Sequence, residues 1–232
     1  MPTHRAAELL IVSIGHYLGP LHVPKAPTPS MRNARDSAPS PNSDPARVHQ
    51  VRRGPNIDEL PESQFIVWAL AQGLADKLDG TTWTRAVVEQ TVQQAGIDNA
   101  AEIVDQLLAD EYLVEVDPAD GHDFALRYQL HPLMLGLGNS PEEPWLYGLG
   151  FGDQPVLKVS RAVYSLWEWA HLDGNLWDAC ETFSDVEQQA GGKDPELTDP
   201  QRVLTGLLAG IHHLTSAAAA YVDVAQSRLA SL

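Results

Sequence analysis

The chain has 232 residues, room for one large domain or two small ones, and 44% of them are hydrophobic, as in ordinary globular proteins. Its formal charge of −16 is unevenly spread: residues 1–54 hold seven Lys/Arg against three Asp/Glu, and the remainder eight against 28, so a basic tail precedes a strongly acidic body that repels phosphate backbones. One cysteine, Cys180, excludes an internal disulfide and a cysteine-based zinc site; apolar runs far shorter than the roughly 20 residues of a membrane span, and the lack of a secretory pattern, predict a cytoplasmic protein without membrane contact.

Residues 1–18 contain a short apolar segment, AAELLIVSIGHYL, too brief for periodicity to decide between strand and helix. Residues 19–47 are rich in Pro, Ser and Arg and read as a disordered linker, because they offer little apolar surface to offset the entropy of ordering. A first folded unit is expected over 48–135. Val48–Arg53 and Ile57–Leu60 flank Gly54-Pro55-Asn56 as a hairpin. A helix opens at Pro61-Glu62-Ser63 and stops at Asp79-Gly80; a second runs from Thr82 to Ala95, and a third, capped by Asp98 or Asn99, buries Ala100, Ile103, Val104, Leu107 and Leu108. Tyr112–Val116 and Phe124–Leu130 read as strands joined by the turn DPADGHD.

After a connector at 136–145, residues 146–232 repeat the first unit. NIDELPESQFIVWALA (56–71) aligns without a gap on PVLKVSRAVYSLWEWA (155–170), pairing Trp68 with Trp167 and Ala71 with Ala170. Leu78-Asp79-Gly80-x-x-Trp83 matches Leu172-Asp173-Gly174-x-x-Trp177, and Gln93-Gln94-Ala95-Gly96 matches Gln188-Gln189-Ala190-Gly191. A repeat of this length predicts two domains of one fold. The second copy is expected to have a hairpin around Gly152-Asp153, helices starting at Ser160, Leu176 and Asp199, and an alanine-rich helix over His212–Ala230 in place of a wing.

The expected class is mainly α with small β-hairpins (α+β). Three helices followed by strand, loop and strand resemble the winged-helix superfamily, which implies two tandem winged-helix-like domains. A hairpin followed by three helices, twice, is similar to the leader-peptide recognition elements of ribosomal-peptide biosynthesis. The acidic charge is similar to that of tandem winged-helix accessory subunits of chromosome-organising complexes. The resemblance to leader-peptide recognition elements implies a peptide bound as an added strand beside helix three.

A DNA-reading winged helix needs basic groups on helix three and the wing. NAAEIVDQLLADE has none; it carries Glu102, Asp105, Asp110 and Glu111, so DNA contact through the first copy is disfavoured and a basic protein or peptide partner fits better. The candidate partner-binding residues are Glu102, Asp105, Asp110 and Trp145, the last in PEEPWLYG and without a counterpart in copy one. An open hairpin edge suits an extended peptide, and the apolar segment Leu9–Ile14 is itself a candidate to fill one. The alternative, a winged-helix transcriptional regulator, would use Arg52, Arg53 and Arg202. Trp68, Trp83, Trp167 and Trp177 recur in both copies and read as core. The histidines lack metal-ligand spacing, Cys180 sits at an apolar helix position, and no phosphate-binding glycine loop or nucleophile motif is present, so no catalytic residue, metal or cofactor is expected and the chain reads as a non-enzymatic adaptor. Its surface leaves room for a homodimer.

Overall fold

The computed structural model describes residues 8–22 and 47–226. Four consecutive apolar or small residues, Leu10–Ser13, form strand β1, buried on both faces. The chain turns at Gly15 (φ +105°), where an added Cβ would strike the Arg52 carbonyl, and continues as β2 (His16–His22). Strands β3 (Arg47–Arg53) and β4 (Asn56–Pro61) form the expected hairpin, and β2 lies on the other side of β3, giving an antiparallel sheet in the order β2-β3-β4. The N-terminal segment therefore docks, although the part that fills the hairpin edge is His16–His22 rather than Leu9–Ile14.

Helices α1 (Glu62–Leu70), α2 (Arg85–Gln94) and α3 (Ala100–Ala109) follow. Thr84 caps α2 by accepting the Val87 N–H, while Asn99 precedes α3 without a side-chain cap. Strand β5 (Leu113–Val116) then pairs antiparallel with β1, Leu10 opposite Val116.

The expected wing is not a hairpin. Phe124–Leu130 does not return along β5, whose partner is already β1. Asp117 instead caps a short 3-10 turn, helix α4 (His122–Arg127) buries Phe124 and Ala125, and β6 (Tyr128–Pro132) leads into copy two. There the same order recurs. β7 (Leu135–Asn139), β8 (Leu146–Phe151) and β9 (Gln154–Ser160) form a second three-stranded sheet. Helices α5 (Arg161–Trp169) and α6 (Leu176–Gln189) follow. A four-residue helix, α7 (Pro195–Thr198), occupies the expected loop, before α8 (Pro200–Ala209) and α9 (Ile211–Ser216). Ser160 and Asp199 cap α5 and α8 as expected.

The alanine-rich end is a second correction. Its helix stops at Ser216, and β10 (Ala220–Val224) pairs antiparallel with β6; residues 227–230 lie outside the described residues. Alanine's helix preference over strand-forming residues is a few tenths of a kcal/mol per residue, which ladder formation by the alternating Tyr221-Val222-Asp223-Val224 overrides.

The pairings also redraw the boundaries. Residues 19–22 belong to β2 and Arg47 to β3, β6 belongs to the second copy, and residues 136–139 of the connector belong to β7. The linker expectation otherwise falls on 23–46, outside the described residues. Each copy is thus a closing strand, a three-stranded meander, its helices, and a last strand that returns to the first. The whole is a mixed α+β fold with small antiparallel sheets.

Hydrogen bonds show how closely the copies correspond. The Ile14 N–H donates to the Tyr112 carbonyl and the Leu133 N–H to that of Ala219, both at 2.9 Å. Tyr112 donates to Leu107 and Ala219 to Leu214, both at 2.8 Å. The residues just before them, Glu111 and Ala218, are the only described non-glycine residues with positive φ, +58° and +51°. By this match the end of helix three in copy two is α9, and Gly210 divides that helix into α8 and α9.

Two cores meet along the N-terminal strand. Along β1, Ile11 packs with Trp68, Trp83, Val88 and Leu107 of copy one, whereas Leu10, Val12 and Ile14 pack with Trp167, Leu204, Leu207 and Val222 of copy two. Trp68, Trp83 and Trp167 are buried, and Trp177 is half-buried against the core with its ring 4.4 Å from that of His122. Among the described residues no helix is long and apolar enough to cross a membrane.

Candidate functional site

The outer edge of the first sheet is β4. Because Arg53 and Asn56 flank a two-residue turn, the alternating ladder points the N–H and C=O of Ile57 and Glu59 away from β3. The Asn56 end of this strand meets the C-terminal turn of α3. Arg53 donates to the Asp110 carbonyl, lies 3.7 Å from the Asp58 carboxylate, and stacks its guanidinium 4.3 Å from the Tyr112 ring centre. Burial, followed by hydrogen bonding to Asp58, pushes the Tyr112 hydroxyl up to about 12, so it stays a neutral donor.

Around this edge the exposed charge is negative. Glu59, Glu102, Asp105 and Asp110 are all exposed. Asp105 is held at 2.7 Å by Arg85, which also pairs with Glu89 at 2.6 Å; the two carboxylates raise the Arg85 pKa. Of the three acids singled out from the sequence, Asp110, just past α3, meets this hairpin through its carbonyl, whereas Glu102 and Asp105 stand along the helix with Asp105 turned to Arg85; Trp145, 66% exposed, lies in the β7–β8 loop of the other copy and does not join them.

The three arginines proposed for nucleic acid are engaged within the protein. Arg53 is held as described. Arg202 pairs with Glu196 at 2.7 Å and Asp199 at 3.8 Å. Arg52 donates to the Tyr221 hydroxyl at 2.6 Å and lies 4.0 Å from Asp223, joining the two sheets. Asp223, buried, also accepts the Gly54 and Val224 N–H groups. His131 stacks on Tyr221 with ring centres 4.9 Å apart, and His16 lies tilted against the same ring at 4.6 Å. Burial lowers the pKa of both histidines and raises that of Tyr221. The cluster is a structural clasp whose groups are turned on one another.

Elsewhere, burial pushes the Cys180 thiol up to about 12, so at neutral pH it is not the thiolate a nucleophile requires. Among the described residues no three His, Cys, Asp or Glu side chains converge as a metal site. A broad hollow of about 1120 Å³ next to α2 is lined by Thr81, Thr82, Thr84, Arg85, Glu8 and Glu115; it is wide and open rather than an enclosed reaction chamber.

Reading the sequence alone missed Trp169. Its aligned partner in copy one is Leu70, half-buried in the core, yet Trp169 is 57% exposed. The available signal was its place one residue outside the Val163, Leu166, Trp167, Ala170 stripe of its helix.

No protein-family model matches the chain, and no curated protein or solved structure matches it either.

Proposed function

We propose that the protein is a non-catalytic adaptor that binds a protein or peptide partner, built from two winged-helix-like modules in which a strand pair (β1 with β5, β6 with β10) stands in place of a wing. The observation that carries this reading is the outward β4 edge, which among the described strands pairs only with β3 and whose turn end Arg53 ties to Asp110 at the end of α3. An extended peptide laid along β4 would bond to the outward backbone groups of Ile57 and Glu59, and basic side chains on it would meet an acidic surface that includes Glu59, Asp110 and Glu102. The regulator alternative loses support, since Arg52, Arg53 and Arg202 already have intramolecular partners.

The test is a display screen of extended peptides alternating Lys/Arg with Val/Ile, followed by titration of the selected peptide. Glu59→Pro removes one outward N–H while leaving the β3 ladder intact, as edge strands tolerate. Loss of one main-chain hydrogen bond, about 1 kcal/mol, weakens binding about fivefold. Neutralising Glu102, Asp105 and Asp110 together (to Gln, Asn and Asn) should reduce both the affinity and its salt dependence. Unchanged binding in both variants removes this edge from the site.

A further inference from the structure

The second copy has an apolar groove on its first helix pair. It runs between α5 and α6, with a volume of about 330 Å³, and its walls include Leu166, Trp169, Phe183 and Val186. Trp169 and Val186 are each 57% exposed, and Leu172, on the turn after α5, is 67% exposed. The alignment equates Trp169 with Leu70, Leu172 with Leu78, Phe183 with Val88 and Val186 with Thr91. In copy one Leu78, Val88 and Thr91 are buried and Leu70 packs against the core. The aligned positions are buried or packed in one copy and present large apolar side chains to solvent in the other.

Charge around the groove is equally one-sided. Helix α6 carries Asp178, Glu181, Asp185 and Glu187 and no Lys or Arg. Asp185, exposed, sits one step round the helix from Val186, since neighbours in sequence are about 100° apart. Asp173 lines the groove on the side of the α5–α6 turn. The one basic residue of the helix pair, Arg161, is already paired with Glu187, which stands where copy one has the buried Val92.

We infer that this groove docks a basic amphipathic helix from a partner protein, with an aliphatic side chain between Trp169, Phe183 and Val186 and Lys or Arg side chains over Asp185 and Asp173. The form of the occupant follows from the walls. Two helices offer no free backbone edge, so a bound segment must satisfy its own main chain, as a helix does. The acidic rim selects against a second copy of this chain, whose own rim would be brought up to it, and against anionic lipid. This surface lies in the other copy from the β4 edge and does not depend on it.

A fluorescently labelled three-turn Leu/Lys amphipathic peptide and its twin with Glu for Lys should be titrated against the full chain by anisotropy, at low salt and at about 0.15 M. The Leu/Lys helix should bind, more weakly at the higher salt, and the Leu/Glu twin should not. Val186→Arg and Trp169→Ala, both at exposed positions, should each weaken binding at least tenfold with unchanged circular dichroism. The Glu102/Asp105/Asp110 neutralised variant should bind as the parent does. The inference is overturned by no binding at millimolar peptide, by equal binding of the Leu/Glu twin, by full affinity in Val186→Arg, or by loss of binding in the copy-one variant. Sedimentation showing a dimer that Val186→Arg dissociates would assign the groove to a second copy and overturn it too.

Discussion

Glu111 and Ala218 each hold a left-handed backbone in which a Cβ is disfavoured, and each does so one residue before the carbonyl that anchors its closing strand. A non-glycine residue there costs about 1–3 kcal/mol, against roughly 0.5–1 kcal/mol for the added freedom glycine gives the unfolded chain. Ala218 is exposed, so Ala218→Gly should stabilise the fold by about 1 kcal/mol, read as a higher urea midpoint at unchanged m-value. Glu111 is less suitable because it also holds Arg127 at 2.5 Å. His212 makes a second prediction. It is buried between the copies, its Nε2–H donates to the Ile11 carbonyl at 2.8 Å, and burial lowers its pKa from the ordinary 6.5 to about 4. The unfolded chain then binds the proton more readily, so this contribution to stability is complete above pH 6.5 and is lost as pH falls toward 4. The loss is on the order of 3 kcal/mol, and His16 and His131, also lowered, act in the same direction. Urea midpoints should fall between about pH 7.5 and about pH 5, and His212→Gln should flatten that slope. An equal slope in the variant would put the effect on other groups.

Among the elements, β1 has the greatest structural consequence for its length. Ile11 enters the core of copy one and Leu10 and Val12 that of copy two, so one short strand ties the two copies together. Ile11→Ala should cost about 3 kcal/mol, as large-to-small changes at sealed sites do. Leu21→Ala on the exposed part of β2 should stay within about 0.5 kcal/mol. Paired denaturation curves distinguish the two, and similar losses would contradict the inward role given to β1. The main helices were legible in the sequence because their apolar residues recur at helical spacing and because Ser160 and Asp199 supply caps, although α1 stops at Leu70, short of the expected Asp79-Gly80. Both hairpins were legible from Gly54-Pro55 and Gly152-Asp153. The candidate edge was half legible: the acids of α3 and the β4 hairpin could be read, but their contact through Arg53, Asp110 and Tyr112 joins segments about fifty residues apart. The groove beside Trp169 was not legible, because a tryptophan in an apolar helix reads as core until its neighbours are placed.

At the scale of the whole molecule, the two copies form one cooperative body. Leu10, Val12, Ile14 and Val116 belong by chain order to copy one and by packing to the core of copy two. The full chain should therefore unfold in a single transition by both near-ultraviolet dichroism and tryptophan fluorescence. A fragment beginning at residue 117 should lack a cooperative transition, having lost those four side chains. Two separated transitions in the full chain, or a stably folded fragment, would show that this packing is dispensable.

By itself the sequence determined what is local or periodic: two related copies, the helical stripes, the turns, the buried tryptophans and an acidic helix three. These rest on spacing, caps and turn chemistry within a few residues. Tertiary structure decided what each strand pairs with. β5 carries nothing that names β1 as its partner, and the alanine-rich end carries nothing that names β6. Strand pairing is a contest between distant segments for the same backbone groups, and once β1 had taken β5, the residues expected to form the wing were left to form α4 and to open the second copy.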